Sequence, residues 1–406
     1  MPSSLRLPGR IWRALPLDGM GLSAPRDLDL AVLRLTAARL FWQRAPRGSR
    51  LPLKALARLA WIGASFRQVR QFARVYPLRG SSRRQLLGDC LLSGARPNEA
   101  FIWRHFFSGA QPHPLPGASA ARVLLQLGDA SQHRLLSDKL AMSERLAAAG
   151  IATPPLLQTI ARGQSPDLRA AIWREPGQLF VKPRSGAASR GCAAIVVQAD
   201  GCYRINDGAS IDAAALAGKL AAAAVPEELL VQPRLLAAAD LQDLASSAVA
   251  PVLRLTTVRE PGGAPFLHSA LLEIAAPGEH PRDFMRGHIR VPIEIATGRM
   301  VRGIWFMHPG DRYERLPWNQ AMLAGRAVPG WACAAQMAVD AMTLLPDLAI
   351  VNWDMIVTND GPVMLEGNSG GNWILTQLSA VAGIETVALE PLLHRWLPAD
   401  RPSNSA

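Results

Sequence analysis

The chain is short of lysine. Of 44 Lys and Arg residues in 406, only Lys54, Lys139, Lys182 and Lys219 are lysines. In a chain so biased toward arginine, a retained lysine marks a place where a compact, flexible ammonium is wanted. Cysteine is also scarce. Cys90, Cys192, Cys202 and Cys333 are scattered and form no CxxC pair. That excludes a disulfide framework or a zinc cluster and leads us to expect a reducing, cytoplasmic setting. No apolar run approaches the roughly 20 residues needed to span a bilayer. The opening MPSSLRLPGRIWRALP is basic, but Arg13 and Pro16 interrupt it, so no secretory signal is expected. There is no internal repeat.

Apolar residues make up 49% of the chain and charged residues 19%, the balance of a globular protein with room for one large catalytic unit and an extension. The net charge of +12 is unevenly placed. Residues 1–85 hold 17 Lys/Arg against 3 Asp/Glu, which leaves 27 against 29 for the rest of the 44 and 32. The basic character therefore belongs to the N-terminal region. There, in LRLTAARLFWQRAPRGSRLPLKALARLAWIGASF, cations interleave with Leu, Trp and Phe. Such a stretch suits peripheral contact with an anionic membrane surface, or is a solvated face of an arginine-rich helix. Nucleic acid is not expected as a partner.

Residues 1–130 read as mainly helical, with breaks at Pro77, Gly80, Pro97 and QPHPLPG. Residues 131–395 mix helices and strands, and 396–406 form a tail. SDKLAMSERLAAAGIATPP predicts one helix capped by Ser137 or Asp138 and ended by Gly150. QLFVKP, CAAIVVQADGCYRI, ELLVQP and VLRLTTVREPGGAPFLHSALLEI predict strands and hairpins, the latter turning at Asp200-Gly201 and Pro261-Gly262-Gly263. The fold class is α+β with antiparallel sheets, since strands and helices do not alternate as a doubly wound fold requires.

FVKPRSGAASRGCAAIVV puts Lys182 at a strand end before a polar turn that holds Ser185, Gly186, Ser189 and Gly191. Glycines let backbone N–H groups approach an anion, and the serines and Lys182 add donors and charge. The pattern is not GxxxxGK[ST] and a strand follows it, so a Walker-type site is excluded; a flap over phosphates or an ordinary hairpin turn remains. Lys139 lies in the first turn of its predicted helix. Arg254, inside LRLTT, must find an anion or face water.

In VNWDMIVTNDGPVMLEGNSGGN, a three-residue Asn359-Asp360-Gly361 loop would set Asp354 opposite Glu366. Alternation then groups Asp354, Ile356, Met364, Glu366 and Asn368 on one face. Two opposed carboxylates and an amide oxygen suit a hard divalent cation such as Mg²⁺ or Mn²⁺. GNSGG also fits the GxSxG serine elbow at Ser369, but only His394 follows, with Asp400 after it, so that chemistry is set aside.

Together, SDKLAMSERLAAAGIATPP, FVKPRSGAASRG, ELLVQP, LRLTT and the NWD…DGPVMLEGN hairpin resemble the ATP-grasp superfamily, in particular the sugar-transfer associated branch, over residues 131 to about 375. The resemblance implies two α+β subdomains gripping ATP. It implies that Lys139 and Lys182 contact phosphates and that the loop Ser185, Gly186, Ser189, Gly191 closes over them. It places adenine at Gln232, Pro233 and Leu235, and ribose at Asp240. Arg254 would steady the transferring phosphoryl, and Asp354, Glu366 and Asn368 would bind Mg²⁺. Gln232 departs from the acid that many relatives carry. The activity implied is ligation of a carboxylate to an amine or thiol through an acyl phosphate, on small-molecule or saccharide-linked substrates, in polysaccharide or glycan-precursor modification. Alternatives are a kinase using the same nucleotide site and a non-catalytic basic binding module. Arg286, His288 and Arg290 are candidate substrate contacts.

Overall fold

The computed structural model describes residues 50–76, 78, 80–107, 123–125, 127–186, 190–206, 208–245, 249–280, 282–369 and 372–397. Ser189, the QPHPLPG run and most of the tail lie outside them.

Three helices open the described chain: α1 (Arg50–Val75), α2 (Gly80–Ser93) and α3 (Pro97–Phe106). Their starts follow the breakers. Pro97 takes the first position of α3, where its missing N–H costs nothing, and the Glu99 carboxylate accepts from Arg96 N at 3.0 Å. The helices do not stand apart. Phe72, Ile102, Trp103 and Phe106 share one core with Val258, Leu271, Phe306, Trp373 and Leu392. Each such side chain, once buried, contributes roughly 1.5–3 kcal/mol.

Two six-stranded antiparallel sheets follow, as the hairpin pattern implies. The first is ordered β1-β6-β2-β3-β4-β5. It contains β1 (Gln158–Ile160), β2 (Gly177–Pro183), β3 (Ala193–Val197), β4 (Tyr203–Ile205), β5 (Ser210–Ile211) and β6 (Leu229–Pro233). Helix α6 (Ala213–Ala224), capped by Asp212 on Ala215 N at 2.8 Å, packs Leu216 and Leu220 against Trp173, Val181, Ile195 and Val231.

The second sheet is ordered β10-β9-β8-β7-β11-β12. Its strands are β7 (Val252–Val258), β8 (Phe266–Ala275), β9 (His288–Glu294), β10 (Arg299–Met300), β11 (Ile350–Thr358) and β12 (Gly361–Asn368). Helix α7 (Trp331–Thr343) covers one face through Ala334, Ala338 and Met342, which meet Leu253, Leu255, Trp353 and Met355. Strand alternation therefore turns Arg254 and Asp354 to the opposite face. Three short helices, α8 (Trp373–Thr376), α9 (Leu378–Val381) and α10 (Leu389–Arg395), close the chain over the core shared with α1–α3.

The helix predicted from SDKLAMSERLAAAGIATPP is present as α5 (Lys139–Ala148), and an unpredicted helix, α4 (Ala130–Ser137), comes before it. Asp138 stands between them in an extended conformation, its carboxylate accepting from Leu140 N and Ala141 N and from the Arg184 guanidinium at 2.7–2.8 Å. A side chain that caps one helix cannot sit mid-helix. The three-residue loop expected between β11 and β12 needs correction. Thr358 pairs with Gly361 across a two-residue Asn359-Asp360 turn, and Met355 with Met364. The register then shifts, so that Leu365 is the extra residue of a β-bulge and Asp354 still faces Glu366. Because of this, Met364 joins Met355 in the core and does not share the face of Glu366.

Candidate functional site

Along one face of the second sheet, ionic groups meet from strand to strand: two facing acids, then a cation, an acid and a cation. Glu366 on β12 opposes Asp354 on β11, which in turn opposes Arg254 on β7. Arg254 donates from Nε and Nη2 to the two Asp354 oxygens at 2.7 and 2.9 Å, and its Nη1 stands 3.7 Å from Glu273 on β8. Glu273 accepts from Arg290 on β9 at 3.1 Å. Arg290, 1% exposed, lies over the neighbouring rings of Phe284 and Phe306, 4.6 Å from each centroid. This bidentate, stacked use of guanidinium is what arginine supplies and lysine cannot.

Burial drives the titration of these groups and neighbouring charges steer it. Burial pushes the Asp354 carboxyl above the usual carboxylate range, with Arg254 opposing and Glu366 adding to the rise. Burial acts the same way on Glu273, but Arg254 and Arg290 outweigh it and hold this carboxyl at about 2. Burial, opposed by Glu273, depresses His288 to about 4.

The cations of the first sheet and of α5 come to the other side of the same acids. Lys139 Nζ donates to Gly186 O at 2.7 Å and stands 3.6 Å from Glu366. Lys182, buried at the end of β2, donates to Leu365 O at 3.4 Å, and Leu365 is the bulged residue. Burial and the nearby Lys139 lower its pKa, against the pull of Glu366. The bulge thus offers a carbonyl to Lys182 while restoring Glu366 to the Asp354 face. Backbone ties fix the two parts together: Lys139 N to Arg184 O at 3.0 Å, Ala238 N to Val357 O at 2.8 Å and Met364 N to Ala152 O at 2.9 Å. A small pocket lined by Lys139, Met142, Thr153, Met364 and Glu366 opens beside them.

Asn368 donates from Nδ2 toward Asp354 at 3.4 Å and Glu366 at 3.5 Å, so the three expected ligand residues converge, and a cation would take the amide oxygen once the amide turns over. Among the described residues no cluster of three or more His, Cys, Asp or Glu forms a metal site. A cation held here would take two carboxylates and an amide oxygen, all hard donors, which suits Mg²⁺ or Mn²⁺ and not a soft metal. Asn352, opposite Asn368 and on the Asp354 face, accepts from Thr256 at 2.8 Å, while its buried Nδ2 has no partner. A buried donor left unpaired costs about 1–3 kcal/mol, so this group is suited to an acceptor brought by a ligand.

The remaining expected residues are placed as follows. Gly186 and Gly191 adopt φ +100° and +76°, and a Cβ on Gly191 would meet Pro183 Cγ at 2.8 Å. Ser185 is exposed and its N–H donates to Glu227. Gln232 is buried and donates to Pro154 O at 3.1 Å, which accounts for an amide where an acid is common: a carboxylate could not donate there. Pro233 ends β6 and Leu235 is half-buried beyond it. Asp240 is exposed in a 3-10 turn, and its carbonyl accepts from Arg326. Of the candidate substrate contacts, Arg290 is locked to Glu273, and Arg286 donates to Val75 O at 2.6 Å while lying over the Tyr76 ring. His288 is half-buried beside them. Ser369 is buried without any triad around it.

Sequence reasoning missed Glu273, Asn352 and Gly367. Glu273 and Asn352 carry a weak signal, a polar residue in an apolar strand at a period-two position. Gly367 carries none; a Cβ there would meet Trp353 Cζ3 at 2.6 Å and Leu136 Cδ2 at 2.7 Å.

Residues 119–390 match the family described as sugar-transfer associated ATP-grasp. No curated protein matches the chain. Among solved structures, the VanG D-Ala:D-Ser ligase from Enterococcus faecalis is similar at 12% identity and TM-score 0.40, over 66% of this chain and 63% of that one. The D-alanine–D-alanine ligase from Bacillus anthracis, complexed with ATP, is similar at 13% identity and TM-score 0.39, over 66% and 67%. The N5-carboxyaminoimidazole synthetase from Staphylococcus aureus, complexed with ADP, is similar at 13% identity and TM-score 0.38, over 66% and 59%. The chain thus spans less than two thirds of the first of these ligases, and at these identities and TM-scores the likeness carries no statement about substrate.

Proposed function

The chain belongs to the sugar-transfer associated ATP-grasp family, and from that premise we propose that it is an ATP-dependent, ADP-forming carboxylate–amine (or thiol) ligase. One observation carries the proposal: Lys139 and Lys182 reach the opened side of Glu366 just where Asp354 and Asn368 converge on it. Cations and hard oxygen donors that face one another across a cleft suit a polyphosphate and its divalent ion.

Asp354, Glu366 and Asn368 would hold the Mg²⁺ or Mn²⁺, which when bound offsets phosphate charge. Lys182 and Lys139 bind phosphate oxygens beside Ser185, Gly186 and Gly191, and Ser189, outside the described residues, adds a hydroxyl donor in the same loop of the sequence. Arg254 keeps two donors on Asp354, and its Nη1, 3.7 Å from Glu273 and without a hydrogen bond among the described residues, would turn to the transferring phosphoryl. Pro233 and Leu235 offer main-chain groups to adenine beside Gln232, and Asp240 is the ribose candidate. A carboxylate is a poor electrophile. Its phosphorylation makes an acyl phosphate, and an amine then displaces phosphate. The chain's residues contribute position and field, so no side-chain nucleophile is needed. The acceptor is a small-molecule or saccharide-linked carboxylate in polysaccharide or glycan-precursor modification, in a cytoplasmic setting where ATP is available.

The test is ADP release over a matrix of carboxylates and amines, with Glu366→Gln as control. Orthophosphate together with an amide supports the ligase. A phosphorylated hydroxyl product would make it a kinase, and wild-type turnover by Glu366→Gln would overturn the metal assignment.

A further inference from the structure

Helix α1 holds Arg50, Lys54, Arg58, Arg67, Arg70 and Arg74 and no acid. Its inner face is spent on the shared core: Ala57, Trp61, Ala64, Val69 and Phe72 are buried. Its outer face is not polar. Leu56, Leu59 and Phe66 are 54%, 66% and 57% exposed, and at helical spacing they form one stripe with Gly63. Exposed Arg67, Arg70 and Arg74 continue that stripe over the last turns, and exposed Arg58 flanks it. Exposed apolar residues scattered singly need no explanation; a run of them along one helix, backed only by cations, does.

We propose that this face of α1 is a docking surface for an anionic lipid bilayer. The stripe supplies apolar side chains to enter the acyl boundary, and the arginines supply attraction to lipid phosphates, each cation near such a surface contributing in the same sense. Charge decides between occupants. A second copy of the chain would set this acid-free face against itself and repel. Nucleic acid would satisfy the arginines but leave Leu56, Leu59 and Phe66 in water. A bilayer satisfies both. Helix α1 ends against the Asp283–His288 segment. Val75 O accepts from Arg286, and Tyr76 donates to Asp283 at 2.6 Å, so a docked α1 would hold the Asp283–His288 segment near the lipid surface.

The experiment is flotation of the full chain with phosphatidylcholine vesicles, with and without about 30% phosphatidylglycerol, alongside a Leu59→Asp/Phe66→Asp variant and an Arg67→Glu/Arg70→Glu variant. The expected result is binding to the anionic vesicles only, reduced about tenfold or more in each variant and by raised salt. Thermal melts and ADP release in solution, both unchanged, keep a folding defect apart from lost docking. Equal binding to pure phosphatidylcholine, no vesicle binding at all, or a concentration-dependent dimer or RNA complex lost in the same variants would overturn the proposal. Each of these outcomes is independent of whether the chain proves to be a ligase.

Discussion

On the second sheet two acids and two cations balance one another across neighbouring strands, from Asp354 through Arg254 and Glu273 to Arg290, and Glu366 stands beyond this row opposite Asp354. The first sheet delivers its cation differently. Among the described residues no carboxylate lies within ion-pair distance of Lys182, whose ammonium rests on a single carbonyl. A closed ionic row is rigid and already compensated, so removing one member strands the others. A buried ammonium with two of its three donors unmet among the described residues gains most when an anion arrives. The Asp354–Arg290 row holds geometry, while Lys182 on one sheet and Glu366 at the edge of the other are left for a ligand.

The largest effect that would break this contrast is on stability. Arg254→Met strands Asp354 and leaves Glu273 on Arg290 alone, and should destabilise the fold by about 3–5 kcal/mol, read by denaturant unfolding. A loss below 1 kcal/mol would mean the row is not an integrated unit. Next, Glu366→Gln should lower ADP formation about 100-fold, near 2.7 kcal/mol of activation free energy, with little change in melting temperature. Gly367→Ala should cost about 1–3 kcal/mol, because its Cβ has no room beside the Trp353 ring. Lys182→Met should move stability the other way from Arg254→Met, by about 1 kcal/mol or less without nucleotide, since it removes an uncompensated buried charge. It should also abolish the thermal shift that ATP gives the wild type.

The smallest effect is in pH. His288 titrates at about 4 in the fold, below the ordinary histidine value of 6.5. The unfolded chain therefore binds the proton first, and stability falls as pH drops from 6.5 to 4. Glu273, held at about 2 against an ordinary 4.5, gives up its share between pH 4.5 and 2. His288→Gln should flatten the upper window in a pH series of thermal melts and leave the lower one.

Much of this site could be read along the chain because its signals are local. Lys139 follows a cap, Lys182 ends a strand, and Asp354, Glu366 and Asn368 fall on alternate positions of a hairpin. The prediction that Asp354 faces Glu366 reached the observed pairing through the wrong turn. A two-residue turn would have set the strands one step out, and the bulge at Leu365 puts them back. Nothing local announces a bulge, because what selects it is the core's claim on Met364 and the cleft's claim on Glu366. The same holds for Asn352 and Glu273, whose importance comes from the strands beside them. It holds too for the helical region, which the charge count set apart but whose rings complete the core beneath α8–α10.

The sequence by itself determined the element types, the antiparallel class and which oxygen and nitrogen groups are available, since periodicity, caps and turn residues act within a few positions. Only the tertiary structure decided which charges compensate one another and which remain open to a ligand. Ionic partners here come from strands a hundred residues apart, Arg254 and Asp354 above all, and burial changes what each charge is worth only once those strands have met.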